Sequence, residues 1–130
     1  MGDKWENPTV SLSPMQRKDA APLLLIAGLA FVFGYFGIDK LVHPEFWLGW
    51  IPLWMEGLLG VSRNTWLILI ALFEIVLALL LLIPIRTVRK VGALLVALHL
   101  VGIMTQVGWN DIAVRDIGLL MSTLALMLLL

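Results

Sequence analysis

Residues 67–82 read LILIALFEIVLALLLL, sixteen positions of which all but Glu74 are apolar. A run of this length and hydropathy has two homes, a large soluble core or a bilayer, and the rest of the chain decides between them. The chain has 130 residues, 61% of them hydrophobic and 14% charged, with a mean hydropathy of +0.99. A soluble domain of this size has too little interior to hide so much apolar surface. The stretch is therefore read as a transmembrane helix, and the chain as an all-α integral membrane protein of one domain.

Working outward, four segments are long enough to cross. The expected spans are about 20–41, 65–85, 88–109 and 112–130. The fourth is interrupted by Arg115 and Asp116, which leave 14 uncharged residues from Ile117 onward. At 1.5 Å per residue that is about 21 Å, short of a ~30 Å hydrocarbon core, so the Arg-Asp pair must sit at or inside the membrane boundary. The last residues, LALMLLL, are expected to stop at the opposite interface. Residues 1–19 are expected to form a polar tail of mixed charge, without the Ser or Thr that a myristoylation signal needs at Glu6. The first apolar run is too long for a signal-peptide core and is taken as a retained span.

Lys4, Arg17 and Lys18 precede the first span, and Arg86, Arg89 and Lys90 lie between the second and third. An even number of crossings puts these six on one side, which the positive-inside rule makes cytoplasmic, with both termini. Trp47, Trp50, Trp54, Trp66 and Trp109 all map to the other side as a one-sided aromatic belt. Between the first two spans, residues 44–62 are too short to cross and too apolar for an ordinary loop. An interfacial or re-entrant segment is expected there, either a membrane-surface anchor or a lid over a cavity among the helices.

Ionisable side chains at bilayer depth are costly, and each is a candidate for function. Glu74 lies eight residues past Trp66, about 12 Å down, and His99 ten residues before Trp109, about 15 Å down. The short connection between their spans makes the helices antiparallel neighbours, so the two side chains could meet at similar depth. They would then either tie the helices together or form a proton-linked site that donates to and accepts from a carbonyl headgroup such as a quinone. Gln106 joins them as a third intramembrane polar group. Asp39 and Lys40 end the first span, while Arg115 and Asp116 open the fourth. In an up-down-up-down bundle these ends adjoin, and Lys40–Asp116 and Asp39–Arg115 pairs would neutralise all four in a separate cluster at the mouth. Ala27, Ala30, Gly34 and Gly37 recur at helical spacing along the first span and allow close helix approach. One His and one Glu are too few for a metal site. With no cysteine, thiol redox chemistry and thiolate ligation are excluded. No phosphate loop, nucleophile elbow or haem motif is present, and no basic patch suggests nucleic acid.

Three stretches carry a family likeness: FGYFGIDKLVHPEFW (33–47), LFEIVLALLLLIPIRTVRKVGALLVA (72–97) and VRDIGLLMSTLALML (114–128). Together they resemble the DoxX/DoxD-like family of small four-helix membrane proteins over residues 20–130. The resemblance implies a plasma-membrane subunit, accessory to or interacting with a quinone-linked oxidoreductase system, in a family that also includes components of oxidant-defence complexes and chaperone-like relatives in animals. Lys40, Glu74, Arg115 and Asp116 fall where that family places polar groups, and His99 lies outside the pattern. The expected partners are lipid, other membrane subunits and a quinone, with no intrinsic cofactor. A non-catalytic subunit is favoured over an autonomous enzyme. The alternative is a structural or assembly subunit without a small-molecule site of its own. A small transporter ranks lower, because four helices without internal repeats make a poor alternating-access machine.

Overall fold

The structure is a computed structural model that describes residues 14–130. The tail expected at 1–13 lies outside the described residues, and residues 14–19, expected to complete it, are already helical. Five α-helices follow in order: α1 (Pro14–Val42), α2 (Pro44–Trp47), α3 (Arg63–Leu82), α4 (Arg86–Val107) and α5 (Asp111–Leu129). Of these, α1, α3, α4 and α5 are long and apolar enough to span a membrane. The architecture is the all-α helical bundle expected from the sequence.

Each long helix buries one stripe, and the stripes explain the bundle. On α1 the buried positions run Ile26, Leu29, Ala30, Phe33, Gly37 and Lys40, at three- and four-residue steps. On α3 they are Leu67, Ala71, Glu74, Leu77, Ala78 and Leu81. On α4 they are Gly92, Ala93, Val96, Ala97 and Leu100, and on α5 Ala113, Asp116, Thr123 and Leu126. The dry core lies among Ile26, Leu29, Phe33, Leu77, Leu81 and Leu126, toward the end of the bundle away from the tryptophans. The other faces are exposed leucine, valine and phenylalanine, as a lipid-facing surface requires.

Helices α1 and α3 pack most closely, and small residues permit it. A Cβ on Gly37 would come within 2.7 Å of Ile75 Cγ1 and 2.9 Å of the Ala71 carbonyl oxygen. One on Gly92 would meet Leu80 Cβ at 3.1 Å, which closes the α3–α4 crossing. Of the small residues expected to line α1's contact, Ala30 and Gly37 are buried and Gly34 is half-buried, but Ala27 is exposed. It sits one step off the stripe defined by Ile26, Ala30 and Phe33.

Local signals set the helix ends. The Ser62 hydroxyl accepts from the Thr65 amide and starts α3. The Asn110 side chain accepts from the Ile112 and Ala113 amides and starts α5 immediately before the charged pair. At the opposite end Arg89 Nε donates to the Leu81 carbonyl at 3.0 Å, and Arg86 Nε donates to the Leu130 carbonyl. Both thereby occupy carbonyls that a helix C-terminus leaves without an intrahelical partner.

The segment expected at 44–62 consists of α2 and three single 3₁₀ turns, Leu48–Trp50, Leu53–Met55 and Leu58–Gly60. Gly57, Leu59 and Gly60 hold left-handed backbone, with φ of 77°, 53° and 76°, and these turns fold the chain back toward α3. Side chains pin the segment in place. Arg63 Nη1 donates to the Ile51 carbonyl at 3.1 Å, Trp66 Nε1 to the Leu58 carbonyl at 3.2 Å and Trp54 Nε1 to Gln106 Oε1 at 3.1 Å.

Candidate functional site

Each of the four long helices contributes ionisable side chains to the lining of one cavity: Lys40 on α1, Glu74 on α3, His99 on α4, and both Arg115 and Asp116 on α5. The cavity is a partly open cleft of about 280 Å³ beneath Trp47, Trp50 and Ile51 of the interfacial segment. That is near the lower end of the ~300–1,000 Å³ range of small-molecule sites. Its remaining wall is mostly apolar, with Phe33, Phe36, Leu67 and Ile103 among the lining residues.

Glu74 is the hub. Its Oε2 accepts from Lys40 Nζ at 2.8 Å, and its Oε1 lies 2.9 Å from His99 Nε2. Which of the two atoms supplies the hydrogen of that second bond depends on the imidazole tautomer. Glu74 is 3% exposed, and a carboxylate so buried needs both partners to persist. Aromatic rings complete the setting. The Lys40 ammonium lies 4.1 Å from the Trp47 ring centroid, and the His99 ring packs edge-on against Phe73 at 5.3 Å.

The meeting of Glu74 and His99 follows from their matched depth. The ion pairs differ from expectation. Lys40 does not pair with Asp116, nor Asp39 with Arg115. Instead Lys40 reaches along the bundle axis to Glu74, and Asp39 Oδ2 accepts from Trp47 Nε1 at 2.8 Å. Arg115 bonds its own neighbour: Nε and Nη2 both donate to Asp116 Oδ1, at 3.1 and 2.9 Å, while the guanidinium lies 4.7 Å from the Phe36 ring centroid. The expected mid-membrane site and the expected mouth cluster are thus one polar lining, in which Lys40 and Arg115 balance Glu74 and Asp116. Asp39 stands apart from it and anchors the interfacial segment through Trp47. The physical reason is the stripe: Lys40 continues Phe33 and Gly37 on α1's inward face, whereas Asp39 is one step round the helix. Reading that periodicity through the end of the span would have assigned Lys40 to the interior.

Gln106 also lines the cavity, one helical turn beyond Ile103, but its amide oxygen is taken by Trp54. It ties the segment to α4. Asp116 is 1% exposed, and its Oδ2 is, among the described residues, the one buried side-chain polar atom without a hydrogen-bond partner. Leaving such an oxygen unmatched costs about 1–3 kcal/mol or more.

Neither a curated protein nor a solved structure matches the chain. A family model described as a domain of unknown function matches residues 29–115, from mid-α1 through Arg115. The match covers Lys40, Glu74 and His99, the segment above them and more than half of the chain, which therefore belongs to the DUF8561 family.

Proposed function

We propose that this chain is a membrane-embedded binding subunit that takes the ring headgroup of a quinone-class lipid and serves a quinone-linked oxidoreductase system, a role found among the DoxX/DoxD-like proteins that its sequence resembles. The observation that carries the reading is the acid–base set of Lys40, Glu74 and His99 lining an apolar cavity of about 280 Å³ inside a bundle of membrane-length helices. A headgroup needs apolar walls for its ring and a few convergent donors and acceptors for its oxygens, and this lining offers both. Lys40 carries donors beyond the one given to Glu74, and the Glu74–His99 hydrogen bond can relay a proton. Electron transfer is assigned to a partner subunit. In this reading the basic end, with Arg86, Arg89 and Lys90, is cytoplasmic, and the tryptophan end faces outward from the plasma membrane.

The test is isolation in mild detergent at native expression, with identification of co-purifying lipids and proteins, followed by titration of a short-tailed quinone into protein in lipid nanodiscs. Saturable quenching of tryptophan fluorescence is expected, because Trp47 and Trp50 line the cavity. Partner subunits without any quinone binding would replace this reading with that of an assembly subunit. Recovery of the chain alone and ligand-free would count against both.

A further inference from the structure

The cavity's hydrogen-bonding groups are unevenly engaged. Both Glu74 oxygens are taken, one by Lys40 and one by His99. The amide oxygen of Gln106 is taken by Trp54. On Asp116, by contrast, Arg115 places both of its donors on Oδ1 and leaves Oδ2 without a partner at 1% residue exposure. Asp116 is one of the lining residues, so the cavity wall includes a buried carboxylate oxygen without a partner, on a side chain whose charge Arg115 already balances. A carbonyl oxygen placed there would meet a lone pair with a lone pair. A hydroxyl would donate to it. A cationic ligand has no advantage, since Lys40 and Arg115 cancel the two carboxylates.

We propose that Asp116 makes this a site for the reduced, hydroxyl-bearing form of its ligand: a neutral apolar molecule with a phenol-type O–H, such as a hydroquinone, donates to Asp116 Oδ2. This assignment rests on the quinone-class reading and adds the redox state that is bound. Sites built around a buried polar group discriminate strongly against analogues that cannot satisfy it. The hydroquinone is thus held more tightly than the quinone of the same ring and tail.

The experiment is anaerobic titration of protein in nanodiscs with three short-tailed ligands that share ring and tail: the hydroquinone, the quinone and the hydroquinone dimethyl ether. Tryptophan quenching is corrected against empty nanodiscs. The expected result is a hydroquinone Kd at least about tenfold below those of the other two. The Asp116→Asn variant, whose amide can turn an N–H toward the ligand, is expected to lose that preference or to favour the quinone. The comparison on the natural chain stands without the variant, should the substitution impair folding. Equal binding of all three ligands would overturn the hydroxyl assignment and leave the quinone-class reading intact. Binding of none would overturn both.

Discussion

Glu74 holds two partners from two other helices, so its removal acts on three elements at once. Glu74→Ala leaves the Lys40 ammonium and the His99 imidazole in an apolar interior without their acceptor. Breaking a buried pair on one side costs about 3–5 kcal/mol, and thermal unfolding in detergent should show a loss of that size. Lys40→Met combined with Glu74→Met removes both charges and is expected to recover most of the loss, since matched apolar replacement of buried pairs is often neutral. If the double variant is as unstable as Glu74→Ala, the Lys40–Glu74 bond contributes little and another contact of Glu74 carries the effect. Asp116 belongs to the other kind of buried acid: its free oxygen costs the fold something, and that cost has meaning only when a donor arrives.

Among the helices, the buried stripes made the site partly legible beforehand. Depth counted from Trp66 and Trp109 brings Glu74 and His99 together, because two antiparallel neighbours with a short connection leave little choice of register. The pairing of Lys40 was not legible from depth alone. It depends on which face of α1 the residue shares, and on the reach of a lysine stem that carries its ammonium well below its own Cα. The Arg115–Asp116 bond is local to one turn of α5, and nothing in the sequence distinguishes it from a pair made across the mouth. The close α1–α3 crossing gives a prediction at this scale. Gly37→Ala puts a methyl against the Ala71 carbonyl and Ile75, both fixed in a helix, and should destabilise by about 1–3 kcal/mol. Gly28→Ala, with nothing within 4 Å, should be neutral or stabilise by up to about 1 kcal/mol. Thermal melts of the two variants side by side separate packing from backbone propensity.

At the scale of the whole molecule, the four spans, the interfacial segment and the separation of a tryptophan end from a basic end are consequences of composition and spacing, and they were readable as such. The proposed orientation has a direct check, because the natural chain contains no cysteine. A single cysteine at Thr87, exposed in the first turn of α4, should react with a membrane-impermeant maleimide only after the cells are opened. One at Glu45, on exposed α2, should react in intact cells. The reverse pattern would invert the assignment of both ends.

The Lys40–Glu74 bond also bears on how the chain enters the membrane. The two residues lie 34 positions apart on consecutive long helices, of which α1 leaves the ribosome before α3. A lone acid or lysine at helix depth costs about 2.5–3.5 kcal/mol on insertion scales. Each span meets that cost alone only if it partitions alone. Retained beside the insertion channel until α3 follows, α1 can enter as half of a pair whose charges are already matched. The contact that lines the cavity in the finished protein thus lets α1 and α3 enter as a single unit, before α4 brings the imidazole to Glu74.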